Sequence, residues 1–237
     1  MRLAVIALAV SSLGLLVLAL AGPAHRLGME LPAAFALLRW GASIGAAGAA
    51  VAIAGGAMAW HRRARLQLLA SAAALAAGLT AVAIPWIWQQ RTRSAPPIYD
   101  ISTDLENPPT FEAIVPLRAD APNPLDRPPH VAEQQRQGYP DLAPITLPVP
   151  RDQAFDRALV LAQRLGWEIV GADKSSGRIE ATDTSFWFGF KDDIVIRLTP
   201  WGAGTRVDVR SVSRIGRNDA GANARRIRDF LDQMQAE

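Results

Sequence analysis

Four side chains able to carry charge or hydrogen-bond fall where strands and helices usually place apolar groups: Asp192, Ser211, Ser213 and Asn223. The alternation of Ile194, Ile196 and Leu198 sets Asp193, Val195, Arg197 and Thr199 on the opposite face. Carried backwards, it puts Asp192 with the apolar set. The alternation of Val207 and Val209, carried forwards, adds Ser211 and Ser213, while Arg206, Asp208 and Arg210 face away. A tight turn between Thr199 and Thr205 allows two registers, pairing Asp193 with Arg210 or Arg197 with Asp208; either sets Asp192 opposite one of the serines. On the helix that follows, Ala220, Ala224, Ile227, Leu231 and Met234 define an apolar stripe that includes Asn223 and has Arg226 at its flank.

This group has three readings. Asp192 could be an acid or base toward a bound substrate, with Ser211 or Ser213 beside it and Arg214 holding an anion. It could be closed off in a structural network, since a buried carboxylate must be paired or hydrogen-bonded. Or a bulge at Gly189 or Lys191 could turn it to solvent. The start of the last helix adds an anion-site reading: free amides near Asn218 and Asp219, a loop through Gly216, and Arg214 and Arg217 suit a phosphate or carboxylate. Asp219 opposes this by offering its own carboxylate to those amides. The candidate ligand-binding set is therefore Asp192, Arg210, Ser211, Ser213, Arg214, Asn218, Asp219, Asn223 and Arg226. On the other sheet face, Asp193, Arg197, Asp208 and Arg210, with Glu180 and Arg178 from a neighbouring hairpin, form either a solvated ladder of ion pairs or a polar binding face. Cover by another segment would favour a structural role.

The elements that position these groups lie in the last third of the chain. An extended piece, Leu142 to Val149, leads to a helix from about Asp152, its expected N-cap, to Leu165, ended by Gly166. Trp167–Val170 and Arg178–Asp183 form a hairpin about Lys174–Gly177, and strands follow at Ile194–Thr199 and Arg206–Arg214. A helix from Asp219 to Met234 closes the chain. Strand, helix, four strands, helix makes a small α+β sandwich with both helices on one sheet face. This element order resembles the helix-grip arrangement of some periplasmic accessory lipoproteins, a likeness of fold that carries no function.

Ahead of this domain, residues 1–90 have a different composition. Only six of the 25 Lys and Arg precede Gln90, and Glu30 is the only acid there. The basic balance of the chain thus comes from its first third, and the remainder is slightly acidic, which gives no footprint for nucleic acid. Leu3–Ala21, about Trp40–Trp60 and about Leu66–Trp88 are long enough to span a bilayer at ~20 residues each. Trp40, Trp60, Trp86 and Trp88 mark their ends. The first run has a competing reading as a signal peptide, because Ala19-Leu20-Ala21 before Gly22 looks like a cleavage site. Arg62, Arg63 and Arg65 favour an inner loop, which sends the loop around His25 and everything after Trp88 outward. Gly41, Gly45, Gly48, Gly55 and Gly56 suit close helix packing. The expected division is a three-helix transmembrane anchor over 1–90, a proline-rich extended segment over 91–150 packing on the domain, and the α+β domain over 151–237. Thirteen of the 17 prolines lie between Ala95 and Pro150, yet Tyr99, Ile101, Phe111, Ile114, Val115, Leu117 and Tyr139 give that segment apolar anchors.

With no cysteine, thiol nucleophiles and Cys-based zinc sites are excluded, and His25, His61 and His130 are too scattered for a triad or a His-based metal site. No cofactor is implied.

Several stretches resemble the bacterial family called domain of unknown function 1499: Asp100–Asp104 with Asn107-Pro108-Pro109, Asn123-Pro124, Tyr139-Pro140, Gly166-Trp167, Ile179–Thr182, Phe188–Phe190 with Asp192-Asp193, and Val207–Ser211 through Ser213-Arg214, Gly216, Asp219, Gly221, Asn223-Ala224 and Arg226-Ile227. The resemblance covers about Ile98 to Phe230. It implies that the proline-rich segment belongs to the domain, and it supplies no activity. The expectation is a multi-pass protein of a bacterial inner membrane. Its α+β domain would face the periplasm and bind an envelope protein, a lipid or an anionic small ligand without catalysis. An enzyme acting on an envelope substrate through Asp192, Ser213 and Arg214 is the alternative, and a purely structural membrane organiser using the small-residue surface of the second span is a third reading.

Overall fold

Apolar runs free of acids become helices in the computed structural model, which describes residues 2–236. Three helices, α1 (Arg2–Arg26), α2 (Leu31–His61) and α3 (Arg65–Ser94), are each long and apolar enough to cross a membrane. The second begins well before Trp40, since Pro32 suits a first turn. The chain forms two compact units: residues up to Gln90 together with Phe186–Gly189, and Arg91–Ser185 together with Phe190 onward.

Within the first unit the small residues let backbones meet. A Cβ on Gly14 would lie 2.6 Å from Gly45 N, and one on Gly45 would lie 2.6 Å from Ala81 Cβ and 3.1 Å from Gly78 O. Glycine at these positions places all three helices in direct contact, and packing supplies their association where lipid tails are as apolar as the helices.

The second unit is built on an antiparallel sheet: β1 (Asp100–Ser102), β2 (Ile145–Leu147), β3 (Glu168–Asp173), β4 (Arg178–Thr184), β5 (Lys191–Trp201) and β6 (Gly204–Ser213). The order is β1-β6-β5-β4-β3, with β2 also paired to β6. Thus β3 to β6 form the expected meander. The β5–β6 register is the one that sets Arg197 opposite Asp208 and Asp192 opposite Ser213. Helices α5 (Arg151–Arg164) and α6 (Ala222–Ala236) cover one face, where Ile179, Ile194, Ile196, Leu198, Val207 and Val209 meet Phe155, Leu161, Ile227 and Phe230.

Three elements lie in the proline-rich segment, where periodicity gave no sign of them: β1, a 3-10 turn at Val115–Arg118, and α4 (Pro129–Gly138). Strand β1 is held at the sheet edge, and Gln135 of α4 closes its backbone like a further strand. Gln135 Nε2 donates to Ser102 O at 2.6 Å, and Ser102 N donates to Gln135 Oε1 at 3.0 Å. The same segment covers the second sheet face, where Phe111 and Ile114 pack on Val195 and Val212, whereas Val115 and Leu117, expected to anchor it too, lie exposed on the 3-10 turn. The sheet is therefore buried on both sides, and neither a solvated ladder nor an open polar binding face describes its second surface.

Two helix starts differ from expectation. Helix α5 begins at Arg151 after Pro150, and Asp152 lies inside its first turn rather than capping it. Helix α6 begins at Ala222 rather than Asp219, because Ala220 (φ 52°) and Gly221 (φ 74°) take left-handed conformations that interrupt a helix.

Candidate functional site

Strand alternation continues unbroken through Asp192, which pairs with Asp183 of β4 on one side and Ser213 of β6 on the other, so no bulge turns it away from the helix face. It is not bare: Arg226 Nη2 donates to Asp192 Oδ2 at 2.7 Å and to Asp183 Oδ2 at 2.7 Å. Burial works against the Arg226 charge, but Asp192 and Asp183 outweigh it and hold its pKa above the ordinary arginine value. Asp183 is the residue that sequence reasoning missed here; carrying the Ile179–Ala181 alternation one step further would have found it.

Asn223 is fully buried and joins the serines. Ser211 Oγ donates to Asn223 Oδ1 at 2.6 Å, Asn223 Nδ2 donates to Ser213 Oγ at 2.9 Å and to Tyr99 O at 3.1 Å, and Arg226 Nη1 donates to Asn223 Oδ1 at 2.6 Å. The convergence of Asp192, Ser211, Ser213, Asn223 and Arg226 is thus real, and its members are one another's partners. A shallow cleft of about 330 Å³ lies beside it, lined by Trp167, Asp183, Arg225, Arg226 and Asp229 among others. Of the cluster, Arg226 and Asp183 lie in its wall and Asp192 does not.

Arg214 and Arg210 do not join this group. Both point to the opposite sheet face, as an even step from Val212 requires. Arg214 Nε and Nη2 donate to Asp193 at 2.9 and 2.8 Å, Arg118 Nη1 donates to the same carboxylate at 2.5 Å, and Thr182 Oγ1 donates to it at 2.7 Å. Burial alone would raise the pKa of Asp193, yet hydrogen bonds from Arg214, Thr182 and Arg118 outweigh it and leave the carboxyl below its ordinary value. Arg210 makes a bidentate pair with Asp100 at 3.0 and 2.8 Å. Glu180 accepts from the backbone N–H groups of Glu112, Ala113 and Ile114 at 2.8, 3.1 and 2.9 Å. Arg197 and Arg206 share Asp208 and Asp104. Each partner supplied by residues 100–118 lies far away in sequence, and no spacing rule reaches it.

The anion site expected at the last helix is filled from within. Asp219 accepts from Gly221 N at 2.8 Å and Asn223 N at 2.7 Å, and burial pushes its carboxyl pKa up despite those two bonds. Asn218 Oδ1 accepts from Ala220 N at 2.6 Å, while its amide donates to Thr92 O and Ala95 O. With Arg214 held by Asp193, Arg217 is the one arginine of the expected set left exposed.

A two-sided antiparallel sheet, with helices on one face and a buried ion-pair layer under a proline-rich cover on the other, follows three membrane-length helices. This defines a class: an α+β domain carried behind candidate membrane spans. The chain belongs to the family described as Protein of unknown function (DUF1499), whose model matches residues 100–234. That match includes the proline-rich segment, in keeping with its hydrogen bonds to the sheet. No curated protein matches the chain.

Proposed function

We propose that the protein is a multi-pass component of a bacterial plasma membrane that holds its α+β domain on the periplasmic side for non-catalytic binding of an envelope protein or an anionic small ligand. One observation carries the non-catalytic reading. The acid, hydroxyls and amide that converge at Asp192, Ser211, Ser213 and Asn223 are bonded to one another or to Arg226, which leaves no serine beside a free base. The outward placement of the domain rests on Arg62, Arg63 and Arg65 between the second and third helices. The cleft beside Arg226 is the open polar surface that adjoins the cluster.

Paired C-terminal fusions test the placement: alkaline phosphatase is active and green fluorescent protein dark, and the opposite pattern refutes it. A photoreactive amino acid at Arg225, in the cleft, tests binding. A discrete envelope adduct that disappears in Arg226→Ala supports the reading, and an adduct pattern equal to that of a label at Ser176 refutes it.

A further inference from the structure

The turn between β4 and β5 carries Phe186, Trp187 and Phe188, and it belongs to the same compact unit as the three long helices. Phe188 is buried against His25 and Phe35, with ring centroids 6.0 and 5.6 Å away, and Phe35 meets Trp88 at 6.2 Å. These neighbours sit at the end of α1, the start of α2 and the end of α3, so all three helices present the same end to the turn. Arg26 Nη1 donates to Phe186 O at 2.7 Å.

Trp187 reaches furthest. Its Nε1 donates to Ala19 O at 3.2 Å. In an unbroken helix that carbonyl would accept from the N–H of residue 23, but residue 23 is proline and has none. An orphaned carbonyl inside lipid is costly, and such groups are satisfied from neighbouring protein. Gly22 makes the room, since a Cβ there would lie 2.7 Å from the indole nitrogen. Pro23 frees an acceptor, Gly22 opens a notch, and Trp187 fills both. Ala19 lies within the apolar run of α1, seven residues or ~10 Å along the axis before Arg26. A side chain that docks there is at the depth of the hydrocarbon boundary. Phe186, beside it, is 93% exposed. Its carbonyl is held by Arg26 at the last turn of α1, so the bare ring lies beside the end of that membrane-length helix, where headgroups and acyl chains meet.

We propose that Phe186–Gly189 is a membrane-inserted element, in which Trp187 docks on α1 and Phe186 contacts the phospholipid headgroup–acyl boundary. Gly189, at φ 72°, provides the left-handed residue that returns the chain to β5.

The chain has no cysteine, so single-cysteine spin labels report one position each. Full-length Phe186→Cys is labelled in phosphatidylcholine–phosphatidylglycerol nanodiscs. Its collision rates with oxygen and with a water-soluble nickel chelate are compared with labels at Leu16, on the exposed middle of α1, and Ser176, at a β-turn tip. The expected result is oxygen accessibility several-fold above nickel accessibility, on the Leu16 side of the scale. Nickel accessibility equal to that at Ser176 overturns the proposal by placing the turn in water. Protection from both reagents also overturns it, because protein rather than lipid would then cover the ring.

Discussion

Replacing Asp193 by asparagine keeps the side-chain shape and removes the charge at the centre of the buried layer. The carboxylate is fully buried and accepts four hydrogen bonds, from Arg118, Thr182 and two nitrogens of Arg214. The side chains of Arg118 and Arg214 are only 4% and 17% exposed, so neither can recover full hydration when the charge is lost. Breaking a buried pair in this way costs about 3–5 kcal/mol. At 1.4 kcal/mol per factor of ten, protected amides should exchange roughly a hundredfold to a few thousandfold faster. Hydrogen exchange of the full-length chain in detergent micelles reads this out, followed by mass spectrometry on β5, β6 and the covering residues 109–125. The cover should open together with the strands, because Arg118 joins it to the sheet. The pH dependence follows from the lowered carboxyl pKa. The folded carboxylate stays charged below the unfolded value of ~3.9, so its stabilisation is fully present above that value and lost as pH falls through the lower folded one. Protection in the native chain should therefore fall on acidification, and Asp193→Asn should lack that component. A change under about fivefold in Asp193→Asn would refute the reasoning, since it would show the cluster behaving as a solvated surface pair worth no more than ~1 kcal/mol.

Asn223→Leu removes the centre of the inner network and takes one hydrogen bond each from Ser211, Ser213, Tyr99 O and Arg226, of which Ser211, Tyr99 O and Arg226 keep another; a loss of about 3 kcal/mol is expected, seen as faster exchange in α6. Gly45→Val drives a side chain into Ala81 and Gly78 O and should separate the helices, at about 1–3 kcal/mol, read as faster cleavage by trypsin in the Arg62–Arg65 loop. Trp187→Phe removes the Nε1 donor together with the five-membered ring seated against Gly22, and should cost about 1–3 kcal/mol in thermal denaturation in detergent. In a Pro23→Ala background residue 23 regains an N–H for Ala19 O, and the same substitution should then cost about 1 kcal/mol less, the packing part remaining. Equal costs in both backgrounds would show that the indole nitrogen does not serve that carbonyl.

Local sequence carried much of this architecture, for a physical reason: side-chain alternation and helical periodicity are properties of neighbours. Apolar runs of membrane length gave α1 to α3, although Pro32 started α2 earlier than its tryptophans suggested. Period-two alternation sorted Asp192, Ser211 and Ser213 onto one face and Asp193, Asp208 and Arg210 onto the other, and it limited the β5–β6 register to two choices. Tertiary structure chose between them and decided whether each polar group is open or closed, because that depends on partners distant in the chain. Arg118 reaches Asp193 across 75 residues, Asp100 reaches Arg210 across 110, and Trp187 reaches Ala19 across 168. Alternation already sets Arg214 on the face opposite Asp192, since adjacent residues of a strand point to opposite faces; only the packed structure supplies the separate cover that closes each of them, Arg226 over Asp192 and residues 100–118 over Arg214.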